Sequence, residues 1–432
     1  MKLFFRFVAI VSACALALVW YAWRRLLLGR AGTDAKERLR GRILARLFER
    51  LGATFVKFGQ IMSTRPDLLG PGYTAELASL QDAVPPAPFE TMREVLDAEL
   101  GADWRKRVVH VVEEPVAAAS VAQVHEGRLD TDERCALKIQ RPEARLQIER
   151  DFAILLRGAK LLHLVPSLRP LSLPAAVERF GAALRAQLDF EVEAANNRRF
   201  ARNFANVKGV DVPELFQDLC TRRVLTMEFI DGVRATEPER VGGDRKKLAR
   251  GGAECILKMV FIDGFVHADL HPGNIILASD ERVVLLDFGV VSEIPADLLR
   301  PWAETFLALA QQDGAAAARL FYSYAPSVGS VDYAAFERDV IAHFRTLYGK
   351  KLSEVEVSEA VSGMMNILRR HRVEVDATFT VVNIALLVAE GLGKQLDPGI
   401  DLLPLALPYL ERALTSAPAP RPPPRRPPAL PN

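Results

Sequence analysis

The 432 residues are about twice what a single hydrophobic core usually serves, so the length predicts two or three domains, or one bilobal unit with extensions. A half-hydrophobic, quarter-charged composition excludes wholesale disorder, and no Gly-X-Y period or 20–50-residue repeat is present, which excludes collagen and solenoids. A net charge of +2 gives no global reason to expect nucleic acid; four scattered cysteines (Cys14, Cys135, Cys220, Cys255) with no CxxC argue against a disulfide framework or structural zinc and for a reducing compartment.

The chain opens on an uncharged run, FVAIVSACALALVWYAW, from Phe7 to Trp23. As a helix it would be about 26 Å long at 1.5 Å per residue, marginal for a hydrocarbon core of about 30 Å unless Leu26–Leu28 extend it. Lys2 and Arg6 precede the run, and Arg24, Arg25, Arg30, Lys36, Arg38, Arg40 and Arg42 follow it. Trp20, Tyr21 and Trp23 fall where an interfacial aromatic belt would lie. The heavier basic flank on the C-terminal side favours an anchor with the body of the protein in the cytoplasm. A cleaved signal peptide or a docked apolar helix are the other readings, and no small-x-small cleavage site follows the run.

Residues 34–51 read as an amphipathic helix, with Leu39, Ile43, Leu47 and Leu51 every four residues and basic residues between them. It can lie on a membrane surface or pack on the protein's own core. A Pro-rich break, VPPAP at 84–88, closes this helical leader. From Val108 to Ile139 the pattern is that of strands: VVHVV, SVAQVHEGRL and RCALKIQ, with a turn at Asp130–Glu133. Helical pattern runs from about 141 to 205, RVLTMEFI (223–230) is a buried strand, and nearly everything after 245 is helical apart from a strand–turn–strand unit around 275–291. The apolar stretch from Phe379 to Leu392 contains Asn383 and Glu390 and is short for a span, so it reads as a buried core helix. The last 17 residues, from Ser416, hold eight of the 27 prolines and predict a disordered tail. The whole is an α+β chain in which a small β-containing lobe is joined by a short connector to a larger helical lobe. The expected divisions are an anchor (1–29), a helical leader (30–106), the two lobes (107–232 and 233–415) and the tail (416–432). A nucleotide can bind in the cleft of such a pair of lobes.

HADLHPGN at 267–274 and DFG at 287–289 carry the chemistry. The five-residue offset from Asp269 to Asn274, followed by Asp-Phe-Gly, is the spacing of a kinase catalytic loop and metal-binding turn. Transfer of a γ-phosphoryl group needs Mg²⁺, which takes hard oxygen ligands; the Asp287 carboxylate and the Asn274 amide provide two. Asp269 can accept or orient the proton of the attacking oxygen. Upstream, CALKIQRP ends an apolar strand on Lys138, which must snorkel or pair. A phosphate-binding lysine held by a carboxylate is the functional reading, with Glu193 of LDFEVEAANN as partner and Glu191 as the competing candidate. No G-x-G-x-x-G loop exists; AAAS (Ala117, Ala118, Ala119, Ser120) stands where one belongs, and alanine lacks glycine's access to positive φ.

Together these segments resemble the UbiB/AarF/ADCK family of atypical kinase-like proteins over roughly residues 34–412. TFVKFGQIMSTRPDLL (54–69) is similar to the family's K-x-G-Q leader, with Lys57, Gly59 and Gln60 at its named positions. The segments AAASVAQVH, LDFEVEAANN, VLTMEFIDG, HADLHPGN, LLDFG and EGLGKQLDPGIDL each fit as well. The resemblance implies a bilobal protein-kinase-like fold, ATP and Mg²⁺ binding with ATPase activity, and a leader folded over the site where a peptide would bind. It also implies a nucleotide site that includes Glu228 and Ile230, and a role in ubiquinone or other prenyl-lipid biosynthesis at a membrane, the bacterial inner membrane being expected. The implied partners are an adenine nucleotide, membrane lipid or prenyl-quinone intermediates and quinone-biosynthesis enzymes, with no nucleic acid. Ala268 replaces the arginine of the kinase HRD motif, and no A-P-E follows DFG; ADLLRPWAETFLAL enters a helix almost at once. The family's Glu-x-Asp is here Gln187-Leu188-Asp189, which moves the expected contact of Lys57 from residue 187 to Asp189. Three activities remain open: an ATPase serving quinone biosynthesis, a nucleotide-gated lipid-binding or scaffolding pseudokinase, and a small-molecule or protein kinase.

Overall fold

The structure is a computed structural model that describes residues 2–28, 32–63, 69, 71–80, 85–166, 169, 172–329, 332–347, 357–416, 422–423 and 425–427. Residues 64–68 of the K-x-G-Q segment, residue 84 of VPPAP and most of the Pro/Arg-rich tail lie outside them. The chain divides into two compact units, residues 1–198 with 213–229 and residues 199–212 with 230–432.

The first unit begins with helices α1 (Lys2–Leu28), α2 (Thr33–Leu51), α3 (Ala53–Ser63), α4 (Pro71–Leu77), α5 (Phe89–Leu100) and α6 (Trp104–Arg107). Strands β1 (Val108–Val111), β2 (Ala117–Ala118), β3 (Ala122–Leu129) and β4 (Arg134–Gln140) follow, then helices α7 (Ala144–Leu162), α8 (Leu173–Gln187) and α9 (Phe190–Phe204). After β5 (Val210–Asp211), which belongs to the second unit, β6 (Val224–Glu228) returns to the first. The sheet runs β1-β3-β4-β6 with β2 on β3, all pairs antiparallel. Alternation along β4 buries Cys135, Leu137 and Ile139 on one face, where they meet Met92, Val95 and Leu96 of α5. That period of two sends Ala136 and Lys138 to the opposite face. The β3–β4 turn needs one left-handed residue, Asp132 at φ 70°, a position aspartate tolerates better than most residues.

Helices α2, α3 and α4 close a separate apolar cluster, including Phe48, Leu51, Phe55, Val56, Leu77 and Leu80. Gly59 of the K-x-G-Q segment has a packing reason. A Cβ there would stand 2.3 Å from Leu80 Cδ1 and 2.7 Å from Phe48 Cδ2.

The second unit contains β5, β7 (Gly232–Arg234), α10 (Arg245–Lys258), a π-helical turn at Met259–Asp263, β8 (Phe265–His267), β9 (Ile275–Ala278), β10 (Val283–Leu285) and β11 (Val291–Glu293). Helices α11 (Ala296–Ala310), α12 (Gly314–Tyr324), α13 (Tyr333–Leu347), α14 (Val357–Arg370), α15 (Ala377–Leu396) and α16 (Leu402–Ser416) complete it. Its strands form a sheet in the order β5-β10-β9-β7 and a β11-β8 pair. One large apolar core runs through the unit, and α15 contributes Phe379, Val382, Leu386, Ala389 and Leu392 to it, as expected of a core helix. Thr378–Leu396 also meets the length and hydropathy of a membrane span, but 61% of that window is buried.

The expected boundary at 232 differs in detail. Residues 199–212 join the second unit because Phe200 and Phe204 enter its core and β5 pairs in parallel with β10, Val283 opposite Val210. Pairing across about 70 residues of chain leaves no local signal in the sequence.

Candidate nucleotide and metal site

In the first unit the Lys138 ammonium lies 2.7 and 2.8 Å from the two oxygens of Glu193, with both side chains largely buried. The ammonium also stands 5.3 Å from the Phe190 ring centroid. Such a pair fixes the direction of the lysine, since an unpaired charge at that depth would be costly. Glu191 is exposed, which settles the choice of partner.

The first turn of α9 is positioned by contacts the sequence did not announce. Gln140 at the end of β4 donates to the Leu188 carbonyl at 2.7 Å, and the Phe190 amide donates to the Arg222 carbonyl at 3.1 Å. The Asp189 carboxylate accepts from the Glu191 amide at 3.2 Å and from Arg222 Nη2 at 2.8 Å. Asp189 thus caps α9 and pairs with Arg222, where the sequence reading expected Lys57. Arg222 stands 33 residues further along the chain than Asp189, so no local pattern marks the pair. Gln187, the last residue of α8, is partly exposed. On α3, Lys57 is partly buried, and Gln60 donates to the Leu80 carbonyl at 3.2 Å.

The alanine-rich segment is a strand rather than an open loop. Ala117 and Ala118 pair with Val124 and Gln123, and the Ala119 amide donates to the Ala122 carbonyl at 2.8 Å across a turn that contains Ser120. No residue from 117 to 121 has positive φ, consistent with alanine's restricted backbone. Gln123 was not singled out by sequence, yet it hydrogen-bonds both the amide and the carbonyl of Ala87, tying the Pro-rich break to β3. Glu228 closes β6 opposite Cys135, and Ile230 is the first residue after the unit boundary.

In the second unit the catalytic-loop segment leaves β8 and returns through a 3₁₀ turn, Pro272–Asn274, into β9. Leu285 pairs with Ile275, and one step further the Leu286 amide donates to the Asn274 carbonyl at 2.8 Å. The β9–β10 hairpin therefore brings Asn274 alongside Leu286, immediately before Asp287. Asn274 is buried, and its Nδ2 donates to the Asp269 carbonyl at 3.0 Å. That bond occupies the donor end of the amide and leaves Oδ1 as its ligand end. Asp287 is exposed and sits at φ 58°, a left-handed conformation that is unusual outside glycine. Phe288 is buried against Phe200 with centroids 4.8 Å apart.

The loop is braced beneath. His267 Nε2 donates to the Leu286 carbonyl at 2.9 Å, and the Ala268 amide donates to the Val290 carbonyl at 3.0 Å. Full burial holds the His267 imidazole below its ordinary pKa, so it braces the loop as a neutral ring. Asp269 is half-buried one turn away. No group of three or more His, Cys, Asp or Glu suited to a metal occurs among the described residues. An amide oxygen and one carboxylate match Mg²⁺, which takes few protein ligands and completes its shell with phosphate and water.

Comparison with known proteins identifies the family. Residues 79–321 match the model of the ABC1 atypical kinase-like domain, and residues 342–401 match the UbiB helical domain. A protein of Aeromonas hydrophila named probable protein kinase UbiB is 35% identical over 396 residues, covering 88% of this chain and 72% of the relative. The protein of the same name from Shewanella woodyi is 31% identical over 398 residues, covering 89% and 72%. Among solved structures, the complex of Rv3197 with erythromycin from Mycobacterium tuberculosis aligns with a TM-score of 0.52 at 22% identity over 85% of this chain and 97% of that one. The HADLHPGN and DFG segments joined by one hairpin, a lysine of β4 paired with a glutamate of α9, and these matches lead to one conclusion: the chain belongs to the ABC1/UbiB family of atypical kinase-like proteins.

Proposed function

We propose that the chain is a membrane-associated Mg–ATP-binding ATPase that supports ubiquinone or related prenyl-lipid biosynthesis. The observation that carries the nucleotide reading is the β9–β10 register: it sets Asn274 beside the residue preceding Asp287 and commits the Asn274 amide nitrogen to the Asp269 carbonyl. Asn274 Oδ1 and the Asp287 carboxylate would hold the metal. When bound, Mg²⁺ neutralises the polyphosphate and orients it for in-line attack. Asp269 takes or orients the proton of the attacking oxygen, water in the ATPase reading. Within the first unit, Lys138, paired with Glu193, is the phosphate-binding lysine of this reading, and Ala117, Ala118, Ala119, Ser120 and Glu228 are its nucleotide contacts there; Ile230 is its nucleotide contact in the second unit.

The quinone role rests on family membership and on the relatives' printed name. The same name says protein kinase, but only β11 and a short connection separate DFG from α11, which leaves little chain for a peptide platform. Membrane association rests on α1, whose Phe4–Arg25 portion is long and apolar enough to cross a bilayer and is 11% buried.

The deciding experiment is steady-state ATP hydrolysis by the full chain, together with nucleotide binding measured with and without Mg²⁺. Mg²⁺-dependent turnover that Asp287→Asn abolishes is the expected result. Retained Mg-nucleotide binding with no turnover, on vesicles or off them, would replace the ATPase with a nucleotide-gated lipid-binding or scaffolding protein. Transfer of phosphate to a metabolite or polypeptide would replace it with a kinase.

A further inference from the structure

Helix α1 does not project from the protein as an isolated anchor. It runs antiparallel to α2, as its two ends show. Near its start, Arg6 Nη2 donates to the Leu51 carbonyl at the end of α2 at 2.6 Å; near its finish, the Tyr21 hydroxyl accepts from Arg40 Nε at 3.0 Å. The face turned inward is Arg6, Ile10, Ala13, Ala17 and Trp20, a spacing of three and four residues that suits an antiparallel helical seam. Arg6 is the pin. Its guanidinium is bidentate on Asp151 of α7 at 2.6 and 2.7 Å, and Asp151 is wholly buried. Lifting α1 away would strand that carboxylate without its countercharge.

This arrangement is incompatible with α1 crossing a bilayer while the hairpin stays closed. Lys36, Arg38, Arg40, Arg42, Arg46 and Arg50 run along α2 beside it, and each charge carried toward the bilayer centre is strongly disfavoured. The outer face of α1 is nonetheless apolar along its length, with Phe4, Phe5, Val11 and Leu18 exposed. An amphipathic element with a broad apolar face and a basic edge lies in the plane of a leaflet instead of spanning it.

Between the two helices is a groove of about 460 Å³ lined by Leu16, Trp20, Trp23, Ile43 and Leu47, with Arg46 and Arg50 as its charged members and no acidic residue. Arg46 stacks 5.0 Å from the Trp20 centroid, and Arg24 stacks 5.2 Å from the same ring. Among the described residues Arg24, Arg46 and Arg50 form no ion pair at contact distance; the nearby Glu76 carboxylate pairs with Arg42 and feels Arg46 only through its field. An apolar trough of this size with unpaired guanidinium groups at its rim matches a chain joined to an anion.

We propose that the α1–α2 hairpin is a monotopic lipid-binding element. It takes an anionic phospholipid of the bilayer, acyl chain in the groove and phosphate on Arg46 and Arg50, with α1 lying along the leaflet. The proposal rests on the membrane-associated reading given above and fixes its geometry and its ligand.

The test uses the full chain with vesicles of phosphatidylcholine alone or mixed with phosphatidylglycerol. Binding should be tighter to the anionic vesicles. Arg46→Gln with Arg50→Gln, both solvent-exposed positions, should weaken that binding on the order of tenfold to thirtyfold and leave binding to neutral vesicles nearly unchanged. Equal binding of variant and parent to anionic vesicles would overturn the headgroup assignment. Nitroxides on Phe5→Cys, Ser12→Cys and Val19→Cys, in a Cys14→Ser, Cys220→Ser background, then report depth. Three similar shallow depths support the in-plane helix. A maximum depth at position 12, with 5 and 19 toward opposite faces, would establish a span and overturn the geometry while leaving membrane association intact. No binding to either vesicle would overturn membrane association itself. A dimer in sedimentation that dissociates when position 11 or 18 is made polar, with no vesicle binding, would assign the apolar face to a second copy of the chain.

Discussion

Lys138 and Glu193 show how one ion pair can be both a local cost and a functional device. The pair is largely buried, so removing one partner leaves a charge without compensation; Glu193→Ala should lower stability by about 3–5 kcal/mol, measured by urea denaturation. Lys138→Met, which removes the charge, should cost less in stability than Glu193→Ala and should raise the KM for ATP, measured by steady-state hydrolysis. A second residue-scale device is the neutral histidine in β3. His125 donates from Nδ1 to the Val112 carbonyl at 3.0 Å and accepts from Gln123 at Nε2, and burial holds its pKa below the ordinary value. The native state therefore refuses a proton that the unfolded chain binds below about pH 6.5, so this residue's effect is absent at pH 7.5 and destabilises as the pH falls. The stability difference between the parent and His125→Gln should shift against the parent by at most about 1.4 kcal/mol per pH unit below 6.5, read from urea midpoints at pH 7.5 and 5.5. Cys135 shows burial acting with the opposite sign: its thiol is pushed up to about 11, and it should stay unlabelled by a thiol reagent at neutral pH until the protein unfolds.

At the scale of elements, strand pairing places the chemistry. The hairpin β9–β10 is antiparallel with Val283 opposite Leu277 and Leu285 opposite Ile275, and a slip of one residue would turn Asn274 away from the residue before Asp287. The motif spacing made this legible, because two short apolar strands joined by a turn over Ser279–Arg282 can close in few ways. The leader is different. Gly59 lies where α3 meets Leu80 and the Phe48 ring of α2, and its lack of a side chain is what permits that approach. Gly59→Ala must move Leu80 and Phe48, which should cost about 1–3 kcal/mol by overpacking and is measurable as a lower midpoint of thermal unfolding. The sequence marked Gly59 only by resemblance, since a glycine inside a helix announces nothing about what packs against it. Asp189 was likewise assigned a partner by resemblance; the structure gives it Arg222 and an amide of α9, contacts made across a sharp turn.

For the molecule as a whole, composition and periodicity were enough to establish an α+β chain with a β-containing part followed by a helical part, and the order of motifs was enough to assign it to a kinase-like family. Those features are local: a period of two or of 3.6 residues, a proline break, and motif residues five and thirteen positions apart are all written into neighbouring stretches of chain. The choice of Glu193 over Glu191 followed from helix phase, because α9 begins at Phe190 and turns residue 193 inward. The membership of 199–212 in the second unit followed from a parallel pairing between β5 and β10. The posture of α1 was beyond reach for the same reason: its hydropathy measures only whether it is long and apolar enough to span, while what pins it is an aspartate 145 residues away. The sequence alone determined which kinds of element form and which family the chain belongs to, because local periodicity and motif spacing need no partner. Tertiary structure alone decided contacts such as Arg6 with Asp151 and Asp189 with Arg222, because they close over long stretches of chain and depend on the burial that folding creates.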